Sequence, residues 1–475
     1  MASSTTRTYR DLSQSTQTPS DAAQTARLAQ FGYEPQLRRS LSLVDLLVYG
    51  LVFISPIAPF AIFGVVFNAS RGLVPLTYVI GLVAMVFTAI SYREMSIAFP
   101  ISGSVYSYAG RGLHPSAGFL AGWAVLLDNL LLPTLAYVVS AAAMRAIFPS
   151  IPQSAWVLLF IISNTTINLL GIETTARASK IFLAMQLVVI TLFIVLGVVA
   201  IARGVNGAHW SLDPLWSPAA FHVSFVFNAL SVAVLSFLGF DAISTLTEEA
   251  TGGGKTVGQA TMISLGLAAV LFIVQTWIAA LLIPARTEFI GDAEINDAFY
   301  TIAAIAGGPA LELVTAISIA LSAGIANALV AQAATSRLLF AMARDGQLPR
   351  LLAHVHPVRR VPQRAVLLVS AVSLVLGLFF VGQVALLSSL VNFGALFSFL
   401  TLHVAVVAYF IVKRRTGRIG VHLLSPAIGF GVILFVLINA DVNAKVGGLA
   451  WLAIGIVIAI VLRLAGRSTE LRLEA

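Results

Sequence analysis

From Ala365 to Val412 the chain contains no Asp, Glu, Lys or Arg. About 20 apolar residues in a helix cross a bilayer, so this stretch is too long for one crossing and must fold back on itself. The turn is expected at "VGQ", residues 381–383. Apolar runs of this kind recur along the chain, which is 59% hydrophobic and 10% charged. Soluble domains carry roughly 25% charged residues. Inside hydrocarbon every backbone N–H and C=O must find a partner within the protein, and an apolar run of this length meets that demand as a helix. The chain therefore reads as an all-α integral membrane protein. Twelve transmembrane helices are expected, near 43–68, 74–92, 116–144, 154–171, 179–202, 222–246, 257–284, 310–340, 365–381, 384–412, 422–440 and 446–464.

Basic residues report the orientation, because cytoplasmic loops carry the excess of Lys and Arg. With both termini cytoplasmic, only Arg71, Arg145, Arg203, Arg286 and Lys445 fall outside, leaving 23 of the 28 basic residues inside. Arg359, Arg360 and Arg364 belong to the inner group, as does "KRR" at 413–415. The net charge of +8 thus reflects topology and anionic lipid headgroups, and a nucleic-acid partner is not expected. The Ser-, Thr- and Gln-rich start of the chain, to about Leu37, lacks the apolar core of a cleavable signal and is expected to be a disordered tail. With no cysteine, the chain has no disulfide framework, thiol chemistry, Cys-based metal site or disulfide-linked subunit.

Two spans are interrupted. "FISPIAPFAIFG", residues 53–64, places Pro56 and Pro59 at the middle of the first, where each lacks an N–H and crowds the carbonyl four residues back. The sixth holds "VLSFLGFDAISTLTEE", residues 234–249, with Gly239 beside Asp241. An acidic residue within a span normally faces a cavity or a partner. Two breaks at corresponding positions, five helices apart, are the sequence pointer to an inverted-repeat transporter whose half-helix ends form the substrate site.

Four motifs in order resemble the amino acid–polyamine–organocation (APC) transporter family. They are "FPISGSVYSYAGRGLHPSAGFLAGW" (99–123), "SFLGFDAISTLTEE", "SRLLFAMARDGQLP" (336–349) and "VNFGALFSF" (391–399). The likeness runs from about Leu41 to the last span. "SPIAPFAIFG", "SYREMSIAFPISGS" and "LLDNLLLP" are most similar to the putrescine-importer branch. The resemblance implies a leucine-transporter fold with helices 1 and 6 broken. Its inverted repeats would occupy 41–205 and 206–415, after a tail at 1–40, with peripheral helices and the C-terminus in 416–475. It implies a secondary carrier in the cell membrane, using no cofactor or metal, for a small cationic amine or amino acid. A putrescine-like diamine is favoured over an amino acid permease or exchanger, with H+ as coupling ion rather than Na+.

The resemblance also implies a substrate site. From the first break it takes Val52, Ile54, Ser55, Pro56 and Ile57, whose carbonyls would accept from a substrate ammonium. From the second it takes Ser236, Phe237, Gly239 and Phe240, and Asn327 and Asn392 are polar positions beside them. Asp128 and Asn129 come from the third span. Asp128 lies among Leu126, Leu127 and Leu130, with no Lys or Arg evident in the membrane core to pair with it. It must meet a cationic substrate, take up a proton, or bond to backbone of a break. Asp241, Phe237, Tyr106 and Gln186 are the expected gating and coupling positions; for Tyr106 and Tyr108 the interfacial-anchor reading is favoured over the gate, and Phe237 reads equally as core. Gln186 stands where several proton-coupled members have a Lys, and a Gln takes up no proton at working pH. Lys180 reads as an ordinary interfacial Lys, and Glu248 and Glu249 as solvated or paired with loop arginines.

Other classes fit less well. The seven His are scattered, with no H-E-x-x-H motif, and no G-x-S-x-G elbow occurs. No selectivity ring of the kind expected in a channel is apparent. "TGGGKTVG" (251–258) lacks the spacing of a phosphate loop and reads as a flexible connection.

Overall fold

The computed structural model describes residues 25–26, 28–218, 221–222, 230, 233–380, 384–440 and 442–464. The helices are α1 (Leu43–Ile54), α2 (Ala58–Ser70), α3 (Val74–Ala98), α4 (Ser104–Gly112), α5 (Pro115–Ile147), α6 (Gln153–Leu170) and α7 (Ile172–Ala202). Tight helical turns follow at Val234–Phe237 and Phe240–Leu246, then α8 (Gly253–Leu281) and α9 (Asp292–Leu321). A wide, π-type turn at Ser322–Asn327 leads into α10 (Ala328–Arg344). The chain ends in α11 (Gln363–Phe379), α12 (Val384–Val406), α13 (Ser425–Ile438) and α14 (Val442–Leu464). Local chemistry sets several of these limits. Ser42 and Asp45 form a reciprocal capping box that starts α1. Proline in the first turn opens α3 and α5, where a missing N–H costs nothing.

Among the described residues, nine helices are long and apolar enough to cross a membrane, and ten if α1 and α2 count as one bent span. The protein is thus an all-helical, multi-pass membrane protein. Of the other expected spans, that near 365–381 is the 17-residue apolar helix α11. In that at 222–246, residues 223–229, 231 and 232 lie outside the described residues, as does the expected turn at 381–383. The span expected at 310–340 is only part of a 52-residue helical path, Ala293–Arg344, bent at Gly308–Pro309.

The expected disordered tail needs correction. Residues 1–24 and 27 lie outside the described residues, but Leu28 and Leu37 are buried against the end of the bundle where α1 begins. There Leu41 pairs with Ala250 in an isolated β-bridge, and the Ser40 and Leu41 N–H groups donate to the Glu249 carbonyl. Tyr33 donates to Asp345 Oδ1 at 2.7 Å, accepts from Arg111 at 2.9 Å and lies under the Arg344 guanidinium. Burial, reinforced by Asp345, holds the Tyr33 phenol well above its usual range.

Candidate functional site

The first break is built by its prolines. The α1 and α2 axes diverge by 44°. Pro56 has no N–H to offer Val52, and Ser55 takes a left-handed φ of 62° to redirect the chain. Three N–H groups close on local carbonyls: Ser55 on Leu51 (2.8 Å), Ala58 on Ser55 (2.8 Å) and Phe60 on Ile57 (3.0 Å). Two carbonyls are claimed from outside: Asn327 Nδ2 donates to Phe53 at 2.5 Å and Gln275 Nε2 to Pro56 at 2.9 Å.

The second break lies against the first. Gly239 has φ 114°, and a Cβ there would stand 2.1 Å from Phe53 Cδ1 and 3.0 Å from the Phe53 carbonyl carbon. Only glycine meets both demands. The Gly239 N–H donates to Asp241 Oδ1 at 3.2 Å, so the Asp241 carboxylate folds back on the break.

Asp128 is brought to these breaks by the middle of α5. Pro133, inside that helix, cannot donate to the Asn129 carbonyl, and the Thr335 hydroxyl of α10 does so instead at 2.6 Å. On the other side Gly394 lets α12 come close, since a Cβ there would stand 2.6 Å from the Ala124 carbonyl and 2.9 Å from Asp128 N. Among the described residues Asp128 has no hydrogen bond and no ion pair.

A cavity of about 300 Å³ lies between the breaks, α5 and the wide turn. Of the residues proposed from the sequence, Ile54, Ser55, Ile57, Asp128, Asn129, Ser236, Gly239, Asp241, Asn327 and Asn392 line it. Sequence reasoning missed the apolar wall of Leu132, Leu135, Val139 and Ile319, together with Ala61 and Ile62. The signal was available for α5, since 128, 132, 135 and 139 fall on one helical face. Along α2 and α5 the lining runs away from the end where α1 begins.

Six proposed residues do not line the cavity. Val52 is fully buried on α1, and Pro56 contributes a carbonyl already held by Gln275. Phe237 points to the rear of the break, against Phe272 (5.2 Å between centroids) and Tyr78 (6.0 Å), and is turned away from the cavity in this structure. Phe240 packs on Tyr92 and Phe399. Tyr106 is buried on α4 and donates to Asp345 Oδ2 at 2.7 Å, which places it in the layer around Tyr33. Gln186 is buried on α7, and neither of its amide atoms has a partner among the described residues. Ser322, in the wide turn, is likewise buried with no partner for its hydroxyl among the described residues. Lys180 pairs with Asp45 at 2.6 Å.

The end of the bundle where α1 begins is closed by charge. Glu249 and Arg337 are both buried and form a bidentate pair, with Nη2 to Oε1 at 2.8 Å. Glu248 binds Arg344 through both oxygens, at 2.8 and 2.9 Å, and accepts from Ser102 N at 3.0 Å. These glutamates are therefore neither solvated nor paired with loop arginines: both partners are on α10. Arg337 is a buried cation the sequence reading did not foresee, and its partner is Glu249 rather than Asp128.

A family profile described as "Amino acid permease" matches residues 42–464. The chain is 29% identical over 429 residues to the low-affinity putrescine importer PlaP of Escherichia coli K12, covering 89% of this chain and 93% of that one. It is 27% identical to the branched-chain amino acid permease BcaP of Bacillus subtilis (90% and 93% covered). It is 26% identical to the methylthioribose transporter of the same organism (88% and 92%). All are transporters and none is an enzyme.

Proposed function

The chain belongs to the amino acid permease family, within the APC superfamily, and from that premise we propose that it imports a small cationic amine by alternating access, with a putrescine-like diamine favoured. The observation that carries this reading is Asp128, a buried carboxylate on the cavity wall without an ion-pair partner among the described residues. A carboxylate in an apolar enclosure requires a cation or a proton, and a substrate ammonium supplies the cation. In this reading the Ile54 carbonyl and the side-chain oxygens of Asn129 and Asn392 accept from the rest of the molecule. The importer PlaP, named for putrescine, supports the same substrate class.

In this reading the chain has twelve spans, with repeats at 41–205 and 206–415, and both termini are cytoplasmic. The cavity then widens toward the outside, and the Glu248–Arg344 and Glu249–Arg337 pairs close the inner side. Transport requires those pairs to part as the outer wall closes over the substrate. Uptake follows the proton gradient through Asp128 or Asp241, since Gln186 has no titrating group. The basic inner loops lie against anionic lipid headgroups.

The apolar wall at Leu132, Leu135, Val139 and Ile319 favours one second reading, an amino acid permease. Uptake of labelled putrescine and of labelled amino acids into proteoliposomes separates the two. Saturable putrescine uptake is the expected result, and uptake of amino acids alone would sink the amine reading.

A further inference from the structure

We propose that this cavity excludes carboxylates, so that it selects an amine over the amino acid of the same chain length; the inference rests on reading the cavity as the substrate site. In a broken-helix carrier, an anionic group of the substrate is met by free N–H groups at the start of a half-helix. The first such start is closed here, and the second already carries an acid. At the first, Pro56 and Pro59 have no N–H. Ser55, Ala58 and Phe60 have theirs committed to Leu51, Ser55 and Ile57. Among the described residues of this stretch, only the Ile57 N–H is left. At the second, the Gly239 N–H already holds the resident carboxylate of Asp241.

The charges agree with the geometry. Among the described residues that line the cavity, Asp128 and Asp241 are acidic and none is Lys, Arg or His. A substrate carboxylate would be a third anion, stripped of water and unmatched by any positive group. Two ammonium groups, by contrast, would find two carboxylates. The closed first start and the acid pair both disfavour an α-amino acid while leaving its decarboxylated counterpart welcome.

Matched pairs test this directly: cadaverine against lysine and putrescine against ornithine, titrated calorimetrically into the purified full chain in nanodiscs. Leaving a buried charge unpaired predicts that each diamine binds at least about 30-fold more tightly than its amino acid. Asp241→Asn, which removes the resident anion, should narrow that gap by about tenfold. If lysine matches cadaverine, carboxylate exclusion is overturned and the carrier reading stands. If neither member of either pair binds, both readings fall together. A gap unchanged by Asp241→Asn overturns the assignment of the second half-helix, and the wild-type pairs decide the rest if that variant does not fold.

Discussion

The side-chain amide of Asn327 donates to the carbonyl oxygen of Phe53 at 2.5 Å, joining the wide turn before α10 to the last turn of α1. The wide turn is what places it there. One extra residue per turn at Ser322–Asn327 rotates Asn327 toward the break, while Asn164 takes up the Gly324 carbonyl at 3.0 Å. Asn327→Leu keeps the bulk and removes the donor, leaving the Phe53 carbonyl unpaired beside the cavity. An orphaned buried acceptor costs about 1–3 kcal/mol. Thermal unfolding in detergent should register that loss, and amine affinity should fall with it. Unchanged stability would mean that the amide bond does not hold the break.

Asp128 is the sharper case. A hydrogen bond to a charged group is worth about 1.5–3 kcal/mol, so Asp128→Asn should weaken diamine binding roughly 10- to 150-fold. The variant should fold, since Asn preserves shape and Asp128 has no bond or ion pair among the described residues to lose. If instead the variant binds diamines like the parent but loses pH-driven uptake, Asp128 is the proton site and its substrate role is wrong.

These two residues also mark what the sequence made legible. Both breaks and the all-helical class follow from residue chemistry, since proline cannot complete a helix and an acid in an apolar helix needs a cavity, whereas most of the polar cavity wall was implied by the family resemblance. Phe237 and Phe240 resisted the same treatment. A phenylalanine beside a break looks alike whether it faces substrate or core, and only the packing of Tyr78 and Phe272 shows which way Phe237 turns. Tyr33 was hidden for another reason. Its segment is polar and reads as disordered, yet a few long-range contacts to Asp345, Arg111 and Arg344 order it. Arg337 escaped notice because a buried cation is visible in sequence only through its partner, and Glu249 lies 88 positions away.

Gln186 offers a test of coupling that is independent of substrate. Its amide is buried, with both polar atoms unpartnered among the described residues. Replacing an unsatisfied buried polar group with an apolar one of similar size is near neutral or stabilising. Gln186→Leu should therefore keep proton-driven uptake within about twofold of the parent and should not lower the unfolding temperature. The measurement is uptake into proteoliposomes under an imposed pH step, with a sodium gradient as the comparison. Strict sodium dependence, or abolition of uptake by this change, would refute coupling through a carboxylate.

The Glu249–Arg337 pair predicts a conformational effect as well as a loss of stability. Both groups are buried, so removing one charge leaves the other uncompensated, at a cost of about 3–5 kcal/mol to the closed inner end. A state in which that end is open to water escapes much of this penalty, because Arg337 can then be hydrated. Glu249→Gln should accordingly shift the population toward the opposite opening, away from the form in which the outer cavity is accessible. The chain has no cysteine, so a single Ala61→Cys on the cavity wall reports that access cleanly. A membrane-impermeant maleimide applied from outside should label Ala61→Cys readily in the parent background and several-fold more slowly beside Glu249→Gln. Equal labelling, with stability reduced, would make the ion pair a structural tie within the inner end and not part of the gate.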